Sequence, residues 1–240
     1  LLDDGLVLAS DSRTNAGLDD IRSVGKMHVF ANEGDRVIVS LSAGNLSLTQ
    51  RVLNELERRM QDDPEAPCLH NATSMFDVAT LLGNTMREMR AQDEEHLREK
   101  GIDSSGTFIL GGQLPGEPPR LFLVYSEGNF IESSPETPYF QTGETKFGKP
   151  ILDRVVTPQT SLAEACKCVI VSFDSTLRSN LSVGLPVDLL VYRRDSLHAR
   201  LRHRLEEGDP YYERIHAHWN DALRQAIRDL PEPEWLSPDA

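Results

Sequence analysis

The chain has 240 residues, 39% of them hydrophobic, which is enough for one domain with a large core and short for two. Its 25 basic and 38 acidic residues give a formal net charge of -13. Because such a charge repels phosphate backbones and anionic lipid surfaces, the composition argues against nucleic acid and membrane partners.

The first part of the chain carries short apolar runs separated by turn residues, a pattern typical of strands. The runs cover residues 5–10, 26–31 and 36–42. We expect them to be neighbouring antiparallel strands. The first run ends abruptly in a polar stretch from Asp11 to Asn15, which brings hydrogen-bonding and charged groups together at a sheet edge.

The apolar period then changes to three or four residues, which predicts two helices. The first runs from Asn45 to Asp62 and the second from about Ser74 to Lys100. Later strands are predicted at residues 107–113, 120–126, 129–133, 139–143 and 187–193. Later helices are predicted at residues 148–157, 161–178 and 211–230.

The blocks therefore follow the order strands, two helices, strands, two helices, strand. Such segregation predicts an α+β fold, and a four-layer αββα sandwich of two antiparallel sheets flanked by helix pairs satisfies it. No internal repeat or interdomain linker divides residues 1–240, so we expect a single domain.

The three cysteines favour a reducing compartment. Cys166 and Cys168 fall in an amphipathic helical pattern, and with Cys68 they make an odd count that fits neither a disulfide framework nor a zinc site. No secretory signal, membrane-spanning run or lipidation motif is visible, so we predict a cytoplasmic protein without cofactor or metal. Because Leu1 is not an initiator methionine, we expect further residues upstream.

Several segments resemble one family. The runs GLVLASDSRTNAG, KMHVF and SLSAGNL, in this order and spacing, resemble the β-subunits of proteasome-type peptidases, which are N-terminal-nucleophile hydrolases. The segments QTGETKFGKPILDRV and TLRSNLSVGLPVDLLVY are similar to the bacterial Anbu, or ancestral β-subunit, branch. The resemblance covers residues 1–195 and leaves 196–240 as a C-terminal helical extension.

The resemblance implies a threonine peptidase. In this family the hydroxyl of an N-terminal threonine attacks an amide, and the α-amine of the same residue takes its proton. Lys26 corresponds to the lysine beside that amine, Asp11 to the carboxylate that orients the lysine, and Gly44 to the glycine whose N–H binds the oxyanion. The threonine is expected about six residues before Leu1, and Asp11 and Lys26 on neighbouring strands.

The resemblance also implies a peptide site. Thr14 and Asn15 correspond to the segment that pairs with an extended substrate as an added strand. Ser42 and Leu46 correspond to the pocket that selects a side chain.

One part of the site departs from the family. Alignment on SNLSVG places Ser182 where a catalytic serine is usual but Ser179 where an aspartate is usual. TGET replaces a turn rich in glycine and serine, so that the carboxylate of Glu144 is a candidate for the missing negative charge.

The family relation implies self-association into a ring or an open spiral, which restricts substrates to unfolded peptide segments. The chain has no ATP-binding motif, so any unfoldase partner is a separate protein.

Each site residue also has a structural interpretation. Asp11 suits a turn at a strand end, Lys26 a solvated surface and Gly44 a turn before a helix. Two other functions stay open at this stage: a non-catalytic structural subunit, and an amidase that acts on a small amide.

Overall fold

The computed structural model describes residues 1–15, 21–62 and 66–236. The chain divides into two compact units, Leu1–Glu207 and Gly208–Ala240. No helix in the described ranges is long and apolar enough to span a bilayer.

Strands and helices alternate in blocks, as predicted. The strands are β1 (Gly5–Asp11), β2 (Arg13–Asn15), β3 (Ile21–Ser23), β4 (Met27–Asn32), β5 (Arg36–Gly44), β6 (Gly106–Gln113), β7 (Arg120–Val124), β8 (Phe130–Glu132), β9 (Val187–Arg193) and β10 (Leu201–Leu205). The helices are α1 (Leu46–Asp62), α2 (Met75–Glu99), α3 (Lys149–Val155), α4 (Leu162–Ser179) and α5 (Pro210–Arg228), with a 3-10 turn at Glu234–Leu236.

The first unit contains two main antiparallel sheets. The larger sheet has the strand order β4-β5-β6-β7-β8, and the smaller has the order β1-β9-β10. A separate antiparallel pair is formed by β2 and β3.

The side chains of β5 show how the layers stack. Ile38 packs into a cluster with the apolar faces of α1 and α2, whereas Val37 and Val39 pack into a second cluster with Leu6 of β1 and Leu190 of β9. Both faces of β5 are therefore covered, which explains its nearly continuous burial. On the other side of the smaller sheet, α4 contacts β1 and α3. The predicted four-layer αββα sandwich is confirmed.

Phe122 lies at the centre of the helix-facing core, with no exposed surface, and makes an edge contact with Phe130 at a centroid distance of 5.7 Å. We expect Phe122→Ala to lower the free energy of unfolding by about 3–5 kcal/mol, because it removes a large buried ring and leaves a cavity. Urea denaturation measures this change. Phe147→Ala, at a ring that is 38% exposed, is the control and should cost much less; similar losses for both variants would contradict the assigned core.

Pairing of the first strand differs from the prediction. β4 and β5 are antiparallel neighbours, but β1 pairs with β9, from Gly5 opposite Arg193 to Asp11 opposite Val187. The expectation that the first three strands are neighbours is therefore wrong for β1. Leu6 and Leu8 instead pack their side chains across the sandwich against the larger sheet.

The strand predicted at residues 139–143 is absent from the described secondary structure. Phe140 still packs against the cluster between the two sheets. A strand also needs a partner for its backbone groups, and apolar alternation does not reveal whether one is present.

The predicted helical extension at residues 196–240 is helical only from Pro210 onward. Leu201–Leu205 form β10, which pairs with β9 from Leu201 opposite Val191 to Leu205 opposite Val187. Only Leu205 of this strand is buried. The apolar alternation that would reveal a strand is therefore too weak in the sequence LRHRL.

Candidate active site

A cavity of about 350 Å³ opens at the end of the sandwich where β1 and β5 finish. Its walls include β1, the end of β5, the start of α1, parts of α3 and α4, and two loops, residues 139–144 and 182–183. The predicted site residues that line it are Asp11, Thr14, Lys26, Ser42, Gly44, Leu46 and Ser182. Residues far apart in the chain thus meet around one space, while their roles remain predictions.

Lys26 and Asp11 form an ion pair in this cavity. Lys26 Nζ donates to Asp11 Oδ1 at 2.7 Å, and the two side chains are only 21% and 11% exposed. The second carboxylate oxygen of Asp11 accepts the backbone N–H of Arg13 at 3.2 Å, which fixes the orientation of the carboxylate. Such partial burial limits solvent screening and holds the ammonium at a defined place.

The pair joins the two sheets rather than neighbouring strands of one sheet. Asp11 ends β1 in the smaller sheet, while Lys26 immediately precedes β4 in the larger sheet. The expectation of neighbouring strands is corrected in this respect. The backbone carbonyl of Lys26 accepts the N–H of Ser42 at 3.0 Å, which aligns this end of β4 with β5.

Gly44 ends β5 with a φ of +98°, a conformation that favours glycine. A Cβ atom there would lie 2.6 Å from the carbonyl oxygen of Ser105, so a side chain would force the neighbouring backbone to shift. N–H groups two residues apart in a strand point to the same side. Because the N–H of Ser42 points to Lys26, the N–H of Gly44 points to that side as well.

Helix α1 begins directly after Gly44. The side chain of Asn45 accepts the N–H of Leu48 at 3.1 Å and thereby caps the helix. No acidic residue occupies the first turn, so the positive end of the helix dipole is not neutralised there. The surroundings of Gly44 therefore favour a developing negative charge.

The candidate substrate residues occupy different walls. Thr14 lies in β2 opposite Arg22, and its hydroxyl is buried without a hydrogen-bond partner among the described residues. Ser42 and Leu46 line the cavity on either side of Gly44. Asn15 ends β2, but its side chain lies outside the described part of the structure.

Ser182 is exposed at the cavity rim, and its backbone N–H is bound by the Asn180 side chain at 2.8 Å. Ser179, in the position where the family has an aspartate, is exposed at the end of α4. Glu144 lies close to this segment, because its Oε2 accepts the amide of Asn180 at 2.6 Å. Glu144 also lines the cavity, so a carboxylate is present at this wall.

Hydrogen bonds hold Glu144 in its ionised form. The backbone N–H of Lys146 donates to Oε1 at 2.9 Å and, with the Asn180 amide, lowers the pKa of Glu144 below its ordinary value. The carboxylate therefore stays negatively charged at neutral pH.

Arg13 was not predicted as a site residue, although it lines the cavity. Its guanidinium donates to the carbonyl oxygen of Leu181 at 2.9 Å and so ties the end of β1 to the loop after α4. The only sequence signal was its place in the polar stretch after β1. A contact over so long a sequence separation leaves no local pattern.

The layer order, together with a lysine, a carboxylate and a glycine N–H at one end of the sandwich, defines the fold class of N-terminal-nucleophile hydrolases. No protein-family model and no curated protein matches the chain. Solved structures do match over nearly its whole length.

Anbu (ancestral beta-subunit) from Yersinia bercovieri is 46% identical, with a TM-score of 0.91, over 97% of this chain and 96% of that chain. A structure described as the helical assembly of the Anbu complex from Pseudomonas aeruginosa is 46% identical, with a TM-score of 0.92, over 97% and 95% of the two chains. Anbu from Hyphomicrobium sp. strain MC1 is 45% identical, with a TM-score of 0.89, over 97% of both chains. The chain belongs to the Anbu family of proteasome-like β-subunits, as its sequence predicted.

Proposed function

We propose that this protein is a threonine-type endopeptidase that works inside a homo-oligomer. The observation that carries the proposal is the partly buried Lys26–Asp11 ion pair, which lines the same cavity as Gly44. A solvated surface lysine or a simple turn aspartate does not require this arrangement. Membership of the Anbu family supports the same assignment.

The register at the start of the chain supports a nucleophile upstream of Leu1. Leu2 and Gly5 exchange backbone hydrogen bonds of 2.8 and 3.1 Å around Asp3 and Asp4, which is a two-residue hairpin turn. In this antiparallel register, each residue before Leu2 pairs with the residue equally far after Gly5. If the residues before Leu1 continue this antiparallel pairing, the sixth residue before Leu1 lies opposite Ser12, the neighbour of Asp11 in the chain.

In the proposed reaction the threonine hydroxyl attacks a substrate carbonyl and its proton passes to the free α-amine. The Lys26 ammonium disfavours a second positive charge beside it, which keeps the amine available as a base. The Gly44 N–H donates to the oxyanion. The peptide amine leaves with the transferred proton, and water then hydrolyses the acyl ester and restores the hydroxyl.

For the substrate we propose an extended, unfolded peptide that runs along β2, with Thr14 and Asn15 as its contacts and Ser42 and Leu46 around one side chain. Because the Pseudomonas aeruginosa relative is described as a helical assembly, we extend self-association to this chain. A separate unfoldase would supply the unfolded segments. The free cysteines agree with a cytoplasmic location.

The mature N-terminus tests the proposal. We expect intact mass and N-terminal peptide analysis of the full-length protein to show an unblocked threonine about six residues before Leu1. A peptide epoxyketone should add its mass to that residue. A blocked or different terminal residue would overturn the peptidase and favour a structural subunit.

A further inference from the structure

The loop of residues 139–144 passes beside the end of β5. A Cβ atom added to Gly143 would lie 3.7 Å from the Cβ atom of Ala43, which immediately precedes Gly44. Ordinary van der Waals contact therefore joins the loop to the strand at this point. Because Glu144 follows Gly143 in the chain, its backbone lies near the end of β5 and the predicted oxyanion donor.

The side chain of Glu144 extends from there to the segment after α4. Its Oε2 accepts the amide of Asn180 at 2.6 Å. The next residue in that segment, Leu181, accepts the guanidinium of Arg13 through its backbone carbonyl, and the backbone N–H of Arg13 donates to the carboxylate of Asp11. A continuous series of contacts therefore connects Glu144 with the predicted catalytic carboxylate along the rim of the cavity.

Glu144 also balances the charge of the cavity. In the described part of the chain, the charged side chains that line it are Asp11, Arg13, Lys26 and Glu144, and the other titratable group is Tyr139. Asp11 and Lys26 neutralise each other in their ion pair. Arg13 donates to a backbone carbonyl, and Glu144 accepts a backbone N–H and a side-chain amide, so both keep their full charge. Without the Glu144 carboxylate, one positive charge would be left over.

We propose that Glu144 stabilises the positive charge that the α-amine of the N-terminal threonine gains when it takes the hydroxyl proton. In that step the bond from threonine Oγ to the substrate carbon forms, the carbonyl electron pair moves to the oxygen, and the amine becomes an ammonium. The Lys26 ammonium opposes this new charge, whereas the Glu144 carboxylate favours it. Together they give an amine that is free near neutral pH and still basic enough to accept the proton. This inference rests on the threonine peptidase proposed above.

Titration of the terminal amine in the full-length protein tests the proposal. Acetylation by acetic anhydride over a series of pH values, followed by mass spectrometry of the N-terminal peptide, gives the pKa of this amine, because only the neutral amine reacts. Glu144→Gln keeps a side-chain oxygen that can accept the Asn180 amide but has no charge. We expect it to lower the pKa of the amine by at least about 0.5, since a nearby negative charge favours the protonated form.

Glu136→Gln is the matched control. Glu136 accepts a hydrogen bond from Ser134 at 2.8 Å, but it is exposed and does not line the cavity. We expect this variant to keep the wild-type pKa of the amine. Circular dichroism verifies that both variants fold. An equal pKa in Glu144→Gln and in the wild type would overturn the inference, and so would an equal shift in the control.

Labelling by a β-lactone separates the charge of Glu144 from a merely structural role. We expect Glu144→Gln to lower the labelling rate about two- to tenfold at high pH and to move the acidic limb of the pH profile downward with the pKa of the amine. A slower rate with an unmoved limb would show that Glu144 only supports the loop, and would overturn the inference. A blocked terminus would overturn this inference and the peptidase together. A free amine that titrates as expected but is never labelled would overturn the peptidase alone.

Discussion

Lys26→Ala in the full-length protein is expected to lower the rate of labelling by a peptide epoxyketone or β-lactone by about 10²–10⁴-fold, the usual contribution of positioned acid–base groups. The ammonium is held 2.7 Å from Asp11 in a partly buried site, where its charge is less screened than at the surface. Without it a larger fraction of the neighbouring α-amine is already protonated, so less of it is available to accept the hydroxyl proton. The rate is measured by quenching the labelling reaction at fixed times and determining the labelled fraction by intact mass spectrometry.

Lys149→Ala is the matched control for this prediction. Lys149 also pairs with a carboxylate, Asp153, at 2.6 Å, but both side chains are about half exposed and neither lines the cavity. We expect unchanged labelling and assembly in this variant. Unchanged labelling in Lys26→Ala would remove Lys26 from the mechanism.

Gly44→Ala should have the second large effect. The positive φ alone costs an alanine about 1–2 kcal/mol, and the added Cβ would also press on the Ser105 carbonyl at 2.6 Å. We expect Tm to fall by at least about 2–8 °C and labelling of the folded fraction to fall about 10²–10³-fold, as for loss of an oxyanion donor. Calorimetry and labelling per folded molecule measure the two effects separately.

Gly116→Ala distinguishes backbone strain from the effect at the site. Gly116 has a similar φ of +85°, but nothing lies within 4 Å of an added Cβ. We expect the Gly116→Ala variant to be modestly less stable than the wild type and to be labelled at the same rate. If Gly44→Ala labels as fast as Gly116→Ala when both are folded, the N–H of Gly44 does not serve as an oxyanion donor.

The helices show where local patterns are sufficient. The apolar stripe from Leu48 to Leu56 predicts both the presence of α1 and the face that it buries, because helical spacing is encoded within one element. Alternation in β5 likewise predicts that Val37 and Val39 share a face. The site residues were predicted from the order and spacing of the family motifs. The periodicity of neighbouring residues alone does not identify them.

The sequence by itself determined the order of the main blocks of strands and helices, the buried faces of the helices and hence the layered fold, since these depend on the periodicity of neighbouring residues. Only the tertiary structure decided that β1 pairs with β9, that Leu201–Leu205 form a strand, and that Asp11 reaches Lys26 across two sheets. These facts depend on backbone pairing and side-chain contact between distant segments. The free energy that stabilises these pairings comes from packing between segments far apart in the sequence. The residue pattern within one segment therefore does not predict them.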